Sequence, residues 1–311
     1  MKKKISVVIP CHNEDENLKP LIKEIKKEIP RGIGYEVILI DDGSDDLTAR
    51  VISQICKKDR NVKGLIFHRN FGHQMALIAG INKTTGDMVV TMDADFQHPP
   101  EYLPQMIKLW EEGYDLVNMK KRDSRKVSIL KKTVRQIGYW FWEWISGGVL
   151  VPGVSDFRLM DRRIADFINN AHEREIFLRG VTKIITRKSI VLEYKVGNRK
   201  YGKSSYTLKM FVNMFINGVV SFSLLPLRTA SIFGAAVFVG TALFLIGDFI
   251  KAYFLGKKII EGYTTMVALV FILNGFIIFY LGIIGEYLGI IFKEVKKRPR
   301  YLVDKTYNLD K

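Results

Sequence analysis

Cysteine and histidine are scarce in this chain of 311 residues, which contains two cysteines and five histidines. Cys11 and Cys56 lie in unlike sequence contexts and lack the spacing of a metal-binding pair. A disulfide framework and a zinc site are therefore not indicated. Internal repeats and low-complexity tracts are also absent from the sequence. A reducing cytosolic compartment fits this composition.

Acidic residues are outnumbered, since 48 Lys and Arg against 32 Asp and Glu give a formal net charge of +16. This excess fits nucleic acid, anionic lipid or an anionic small substrate, and only the positions of the cations can decide among them. Hydrophobic residues make up 48% of the chain, enough for a full core with apolar residues to spare. We therefore expect a catalytic domain and an additional apolar module.

A long apolar run is missing at the amino terminus, although the chain begins with three lysines before Ile5. Pro10 ends the apolar stretch after a few residues, and polar residues follow from His12 to Glu16. The stretch is too short for a signal peptide and is better interpreted as a buried first strand. The catalytic part is then expected to stay in the cytoplasm.

Strand and helix patterns alternate in the first third of the chain, which predicts an α/β fold with a mostly parallel sheet. The predicted strands are Ile5–Ile9, Tyr35–Ile40, Val62–Phe67 and Asp87–Met92, and the predicted helices are Asn17–Glu28, Leu47–Lys57 and Gln74–Lys83. Each strand ends where a polar cluster begins. Ligands bind at the carboxyl ends of strands in such sheets, so these clusters predict the site.

Two uncharged runs in the carboxyl-terminal third, Thr229–Gly247 and Thr264–Gly285, predict membrane-spanning helices. At ~1.5 Å per residue each run reaches roughly 28 Å or more, close to the ~30 Å hydrocarbon core. We expect a hairpin within 228–292, with helices at about 229–252 and 264–290. Arg228 and the basic tail 293–311 place both ends on the cytoplasmic side, although three lysines in the connecting loop weaken that orientation.

Interfacial amphipathic helices are predicted beside the catalytic domain, which we assign to residues 1–205. The basic run Lys120–Lys132 leads into the aromatic stretch 139–144, and a second amphipathic segment occupies 206–227. Trp and Tyr beside cations favour the headgroup layer of a membrane. An ordinary core helix is the alternative for the first of these segments.

The sequence Asp93-Ala-Asp95 with Gln97 follows an apolar strand and predicts a divalent-metal site. Carboxylate and amide oxygens are hard ligands that suit Mg²⁺ or Mn²⁺. A metal there would bridge a diphosphate and offset its charge as the leaving group departs. Many surface turns contain such a motif by chance, but here four strand-end clusters occur together.

A second acidic cluster, Asp41 to Ser44, follows the strand VILI. A carboxylate at this point can accept hydrogen bonds from a base N–H or from ribose hydroxyls, and Gly43 permits a tight turn. Capping of the next helix is the alternative, and the two roles are compatible.

Six motifs together resemble the signature series of inverting family 2 glycosyltransferases. They are PCHNE (10–14), DDGS (41–44), RNFG (69–72), DADFQHP (93–99), SDFRL (155–159) and NRKYGKSS (198–205). The last two motifs and the two predicted spans make the sequence more similar to the branch of dolichol-phosphate mannose synthases and bacterial polyisoprenyl-phosphate glycosyltransferases. The resemblance covers nearly the whole chain in the expected order.

The resemblance implies a GT-A fold, a nucleotide-sugar donor, a polyisoprenyl phosphate acceptor and a lipid bilayer as partners, and Mg²⁺ or Mn²⁺ as cofactor. It implies that the donor is bound by Pro10, Asn13, Glu14, Asp41, Asp42 and Asp93, and the metal by Asp93, Asp95 and Gln97. Asp156 and Asp95 are the implied catalytic residues. The implied phosphate-binding residues are Arg122, Arg125, Arg199, Lys203 and Ser204. His73 stands where relatives often carry lysine and receives no role.

The chemistry of the acceptor sets the role of Asp156. A lipid phosphate has its second pKa near ~6, so it is largely a dianion at neutral pH and needs no strong general base. Asp156 then either positions the acceptor or an arginine, or removes a proton; a structural ion pair with a nearby arginine is the alternative. In-line attack at the anomeric carbon predicts inversion, with a β-linked product from an α-linked donor.

Two rival functions are weaker. A processive polysaccharide synthase usually carries QxxRW and more spans, whereas this chain has QIGYW at 136–140 and two predicted spans. A membrane scaffold that binds lipid or nucleic acid would not need acidic clusters at successive strand ends, so no nucleic-acid partner is expected. UDP-glucose is the first choice of donor, followed by GDP-mannose and UDP-linked amino sugars. The tail after Arg298 is a candidate for assembly into a homo-oligomer.

Overall fold

The computed structural model describes residues 3–122, 154–171, 178–195, 263–296 and 298–309, with single positions between 229 and 254. These residues fall into two compact units, one containing 3–195 with 298–309 and the other the residues from 229 to 296. Several predicted features lie outside the described residues. They are Arg125, Arg199, Lys203, Ser204, the aromatic stretch 139–144 and the segment 206–227.

The seven predicted elements of the first third are confirmed, and their ends differ from the prediction by at most two residues. The strands are β1 (Lys4–Cys11), β2 (Gly34–Asp41), β3 (Val62–Phe67) and β4 (Met88–Thr91). The helices are α1 (Asp15–Glu28), α2 (Thr48–Lys58) and α3 (His73–Asn82). A 3₁₀ turn at Pro100–Tyr102 leads into α4 (Leu103–Glu111). The described part continues with β5 (Leu116–Lys121), β6 (Val154–Asp161), α5 (Arg162–Asn170), α6 (Leu178–Ile185) and β7 (Ser189–Tyr194).

One sheet unites the strands in the order β7-β5-β6-β4-β1-β2-β3-β8, where β8 is Val303–Tyr307. The four strands from β4 to β3 are parallel, as predicted. Beyond them β6 runs antiparallel to both β4 and β5, and β8 runs antiparallel to β3, whereas β5 and β7 pair in parallel. The sheet is therefore mixed.

The carboxyl-terminal tail is the largest departure from prediction. Residues 293–311 were expected to form a separate basic tail, yet β8 is a full edge strand that pairs with β3 from Gly64 to Phe67. Asn308 continues the attachment, because its side-chain amide donates to the carbonyl oxygens of Cys56 and Val62 at 2.7 and 2.8 Å. The end of the chain thus covers an edge of the sheet that would otherwise expose unpaired backbone groups.

Apolar side chains on both faces of the sheet form its core. Leu21 of α1 and Ile52 of α2 belong to the cluster on one face, and Ile78 of α3 and Ile164 of α5 to the cluster on the other. α3 packs closely, since a Cβ atom added to Gly80 would lie 2.4 Å from a methyl group of Val8. Helices on both faces leave the strand ends as the place for a ligand.

The second unit contains α7 (Tyr263–Val295), which is apolar along most of its length. Its window Leu273–Phe292 has a mean hydropathy of 2.0 over 20 residues, with no share of it buried, so the helix is long and apolar enough to cross a membrane. Described positions between 229 and 254 are helical, and Phe233 stacks on Phe276 of α7 with ring centroids 4.5 Å apart.

A buried ionic network fixes the amino-terminal ends of the strands. The side chain of Glu36 is 1% exposed and lies 2.8 Å from the ammonium groups of both Lys4 and Lys63. Ser6 and Thr85 also donate hydrogen bonds to it. Burial alone would raise the pKa of Glu36, but these donors outweigh it and lower the pKa to about 2.

We expect Glu36→Gln to lower the free energy of unfolding by on the order of 3 kcal/mol at pH 7, because the pKa of Glu36 falls from 4.5 to about 2 on folding. This contribution is fully present above pH 4.5 and is lost as the pH falls through the folded-state pKa. Thermal unfolding of the full-length protein across a pH series measures it.

Glu111→Gln is the matched control, because its ion pair with Lys3 joins side chains that are 41% and 49% exposed. Such a pair contributes about 1 kcal/mol or less. Equal losses of stability in the two variants would contradict a stabilising role for the buried network.

Candidate functional site

The candidate site lies at the carboxyl ends of β1, β2 and β4. In the sheet order the chain moves outward from β1 through β2 to β3 on one side and returns to β4 on the other. The strand order changes direction at β1, and ligands of open α/β sheets bind in the crevice beside such a point. The predicted motifs PCHNE, DDGS and DADFQ all occupy this edge.

The turn after β2 holds two buried carboxylates. Asp41 accepts hydrogen bonds from both the amide and the hydroxyl of Ser44. Asp42 accepts from the amide of Phe71 at 2.7 Å and from that of Gly72 at 2.9 Å. Burial raises the pKa of each carboxyl despite these donors. Asp42 therefore organises the loop after β3, a role that the prediction of donor binding alone did not include.

Gly43 is required at this turn for two reasons. Its φ of +64° lies in the left-handed region, where a Cβ atom causes strain. An added Cβ would also lie 2.3 Å from the carbonyl carbon of Arg69 and 2.4 Å from the amide nitrogen of Asn70. The two turns are thus in direct backbone contact.

The PCHNE motif packs against the same turn. Pro10 is a buried residue of β1, and Asn13 adopts a φ of +58° just beyond the strand. The amide of Asn13 donates to the Ser44 hydroxyl at 2.9 Å, and its side-chain oxygen accepts from the amide of Asp45 at 3.0 Å. Glu14 contributes its amide to Thr48 at 2.9 Å. The structure therefore brings together the residues predicted for donor binding.

The DADFQ motif forms the second acidic turn. Asp95 is 7% exposed and accepts from the amide of Gln97 at 3.0 Å. Phe96 between them has a φ of +64°, an unusual conformation for a bulky residue that recurs at functional turns. The side-chain oxygen of Gln97 accepts from Lys121 at 3.2 Å. Lys121 thereby places a cation at the motif.

The residues of this turn fit a divalent metal ion. The Oδ1 atom of Asp93 is buried and accepts no hydrogen bond within the described chain, as expected for an atom that takes a cation. The described part of the chain contains no group of three or more His, Cys, Asp or Glu side chains placed to hold a metal ion. This donor set suits Mg²⁺ or Mn²⁺, since such ions use one or two carboxylates and complete their shell with substrate phosphate and water.

His98 supports Asp93 as a neutral ring. The amide of Asp93 donates to its Nδ1 atom at 2.9 Å, so that nitrogen carries no proton. Burial lowers the pKa of His98 despite the neighbouring carboxylates. The 3.5 Å approach of Nδ1 to Asp93 Oδ2 is therefore not an ion pair. The ring stacks on Phe157 with centroids 5.1 Å apart, which fixes the turn to β6.

Asp156 lies on β6 near the DADFQ turn. The pairing of β4 with β6 ends at Thr91 and Arg158, which lie two residues from Asp93 and Asp156 along their own segments. The Arg158 guanidinium is 2% exposed and donates to Asp156 Oδ1 at 3.2 Å and to Thr182 at 2.9 Å. The ion pair proposed as an alternative for Asp156 thus exists.

His73, which received no role from the sequence, joins the two acidic strands. Its Nε2 atom lies 3.6 Å from Asp93 Oδ1 and 3.8 Å from Asp156 Oδ2. It is the first residue of α3 and directly follows the RNFG loop. This placement depends on the fold of the loop, so the spacing of motifs along the chain could not reveal it.

The predicted phosphate-binding residues are only partly placed. Arg122 is described and exposed, and its amide donates to the Tyr194 carbonyl at 2.9 Å, whereas its neighbour Lys121 is the cation that reaches the metal motif. Sequence reasoning missed Lys121, His73 and His98. His98 alone carried a signal, as a member of the DADFQHP motif.

Comparisons with known proteins give the relatives of the chain. Residues 6–165 match the family model described as "Glycosyl transferase family 2". The bactoprenol glucosyl transferase of Shigella phage SfX is 35% identical over 96% of this chain and 98% of its own. The undecaprenyl-phosphate 4-deoxy-4-formamido-L-arabinose transferase of Photorhabdus laumondii is 32% identical over 97% and 94%. Among solved structures, glucosyl-3-phosphoglycerate synthase from Mycobacterium tuberculosis matches with a TM-score of 0.47 at 17% identity, over 71% of this chain and 78% of its own.

We expect Gly43→Ala to destabilise the protein by about 3 kcal/mol, because the methyl group adds overlap with the loop backbone to the strain of a positive φ. Gly113→Ala is the control, since Gly113 has a φ of +88° but no atom within 4 Å of an added Cβ. Its cost should stay near 1 kcal/mol. Thermal unfolding of both variants measures the difference, and equal losses would show that the contact with Arg69 and Asn70 is loose.

Proposed function

Because the chain belongs to glycosyl transferase family 2, we propose that it is a membrane-anchored inverting enzyme that transfers one hexose from a nucleotide-sugar to a polyisoprenyl phosphate. One observation carries the proposal: Asp93 of the metal motif and Asp156 of β6 each have a carboxylate oxygen within 4 Å of the same atom, Nε2 of His73. A donor diphosphate and an acceptor phosphate can meet between these two carboxylates.

The relatives support the substrate classes. One relative is named for glucosyl transfer to bactoprenol and the other for transfer of an amino sugar to undecaprenyl phosphate. Both match nearly the whole chain, which favours the same acceptor class here. UDP-glucose remains the first choice of donor, and a GDP-mannose-dependent mannose synthase is the alternative.

Donor binding follows from the two acidic turns. We assign nucleoside binding to Asp41 and the Asn13–Glu14 segment, which lie in adjoining turns. Asp42 holds the RNFG loop beside them. Asp93 and Asp95, with Gln97 beside them, would hold Mg²⁺ or Mn²⁺, which when bound neutralises diphosphate charge. Lys121 adds a positive charge at the same turn. These groups orient the donor with its leaving diphosphate at the DADFQ motif.

The transfer step needs little proton chemistry. An oxygen of the acceptor phosphate forms the new bond to the anomeric carbon while the bond to the diphosphate oxygen breaks and its electron pair leaves with the nucleotide. The acceptor is already largely dianionic at neutral pH. Asp156 is held by Arg158 and by the Thr91 hydroxyl on its carbonyl, so its position is fixed. We propose that Asp156 orients the attacking phosphate and the cations that bind this phosphate.

The sheet supports an even number of membrane crossings. β8 belongs to the same sheet as β1 to β7, so these eight strands lie on one side of any membrane. Each crossing of a membrane by the chain between β7 and β8 must therefore be matched by a return. If α7 crosses once, a second crossing is needed, and we assign it to residues 229–252. The stacking of Phe233 on Phe276 of α7 agrees with such a hairpin.

The proposed topology has the catalytic domain and both termini in the cytoplasm. Residues 1–205 form that domain, 206–227 an interfacial helix and 228–292 the hairpin, while 303–307 return to the sheet. The acceptor tail then stays in the bilayer and its phosphate reaches the site. We assign its capture to cations near the membrane, namely Arg122, Arg125, Arg199 and Lys203 with the Ser204 hydroxyl.

Transfer of radiolabel into an organic-extractable lipid tests the proposal. Purified full-length protein, undecaprenyl phosphate and Mn²⁺ are supplied with UDP-glucose, GDP-mannose or a UDP-linked amino sugar. Label from one donor identifies the sugar and the reaction. Formation of a polymer, or no label from any donor, would contradict the proposed function.

Asp95→Ala should reduce this transfer by at least about 10²-fold, because removing a carboxylate of the metal motif removes charge compensation of the leaving group. Asp166→Ala is the control, since Asp166 forms only an exposed pair with Arg162 on α5. Near-normal transfer by Asp95→Ala at saturating Mn²⁺ would exclude its assignment as a ligand.

Asp156→Asn should lower kcat by roughly 10²-fold and leave the donor KM within about threefold, because the amide keeps the shape of the side chain but loses the charge that orients the acceptor. Steady-state kinetics with varied donor and acceptor measure both constants. Unchanged kcat would leave only the ion pair with Arg158 as its role.

A further inference from the structure

The returning strand β8 ends the sheet next to the loop that borders the site. The backbone pairing of β3 with β8 runs from Gly64 to Phe67, with an irregularity between Ile66 and Phe67. Beyond it, the amide of His68 donates to the carbonyl of Leu302 at 3.0 Å. The residues just before β8 therefore lie against the start of the RNFG loop (69–72).

Three aromatic rings connect the segment just before β8 to the RNFG loop. Tyr301 stacks on Phe67 with centroids 5.0 Å apart and an interplanar angle of 21°. Phe67 meets Phe71 of the loop edge to face, at 5.6 Å and 86°. The guanidinium of Arg69 lies 4.7 Å from the centre of the Phe71 ring. Such pairs are attractive beyond simple burial, so Tyr301 and Phe67 restrain Phe71.

The backbone of the restrained residues holds Asp42. Asp42 accepts hydrogen bonds from the backbone amides of Phe71 and Gly72, the last two residues of the loop. The start of the loop rests on Gly43 with no room for a Cβ atom. A movement of Phe71 would therefore release a buried carboxylate from its donors and open the contact between the two turns.

The other end of the loop reaches the reacting centre. His73 follows Gly72 directly and approaches Asp93 and Asp156 to within 4 Å. The loop thus spans the distance from the nucleoside end of the site to the two carboxylates. Its shape is set by backbone contacts with Asp42 on one side and by the aromatic rings on the other.

We propose that Tyr301 is a positioning residue for donor binding, acting through Phe67 and Phe71 on the loop that Asp42 holds. The segment that leads into β8 is then coupled to the donor site through the aromatic rings. This inference rests on the proposed donor role of the Asp41–Gly43 turn. It assigns to the ring of Tyr301, rather than to its hydroxyl, the effect on the loop.

The test compares Tyr301→Ala, Tyr301→Phe and Tyr307→Ala in the full-length protein. Tyr307 is the matched control, because it lies at the other end of β8, opposite Gly64, and packs near α2 instead of the loop. Donor KM and kcat are measured with Mn²⁺, UDP-glucose and undecaprenyl phosphate, and amide exchange of Phe71 and Gly72 is followed in the same samples.

Tyr301→Ala should raise the donor KM about three- to tenfold with kcat within twofold, and should speed exchange at Phe71 and Gly72. Tyr301→Phe should restore both quantities, since it keeps the ring. Tyr307→Ala should lower thermal stability without either effect. An unchanged KM for Tyr301→Ala, or equal changes in Tyr301→Ala and Tyr307→Ala, would overturn the inference.

Failure of the proposed function gives a different result. If the wild-type protein transfers no sugar from any nucleotide donor, the donor assignment falls, and the inference falls with it. If the wild type is active and loop exchange in Tyr301→Ala equals that of the wild type, the inference alone is overturned. Should Tyr301→Ala not fold, Tyr301→Leu keeps an apolar side chain without the stack, and the same comparison applies.

Discussion

Repulsion among carboxylates, most of them buried, is the constraint on which the site depends. Asp41, Asp42, Asp93, Asp95 and Asp156 converge at one edge of the sheet, where a diphosphate would meet a strongly negative surface. Buried charges persist only when they are paired, hydrogen-bonded or bound to a metal. Asp42 accepts hydrogen bonds from backbone amides, Asp41 accepts them from Ser44, and Asp156 is paired with Arg158. Asp93 retains a buried oxygen without a hydrogen-bond donor, which is where a cation is needed.

The rest of the fold holds these charges in place. Parallel strands carry two acidic turns to one edge, and β6 returns in the antiparallel direction to place Asp156 near Asp93. The Glu36 network pins the opposite ends of the same strands. The RNFG loop joins the two halves, because it binds Asp42 and leads into His73. β8 closes the sheet edge beside that loop, so the tail of the chain takes part in the same arrangement.

Local patterns predicted the parallel part of the fold because each of its strands is rich in apolar residues and ends where polar residues begin. The residues of the donor and metal motifs were predictable for the same reason, since the carboxyl ends of such strands must meet. β6 and β8 pair across long separations in sequence, with a direction that no local pattern encodes, so these two antiparallel strands and the pairing of the tail were not predicted. The His73 and Lys121 contacts were missed likewise, because they depend on loop conformation and on strand pairing between distant segments.

Calorimetric binding of UDP-glucose to the full-length protein, first with Mn²⁺ and then with excess EDTA, tests most directly whether the carboxylates require a cation to accept a diphosphate. GDP-mannose is titrated in parallel, so that a wrong choice of sugar is not mistaken for an absence of binding. We predict that one donor binds with Mn²⁺ and that its affinity falls at least about tenfold on chelation, since unscreened carboxylates repel the diphosphate. Equal affinity with and without EDTA would contradict a metal-dependent site at Asp93 and Asp95.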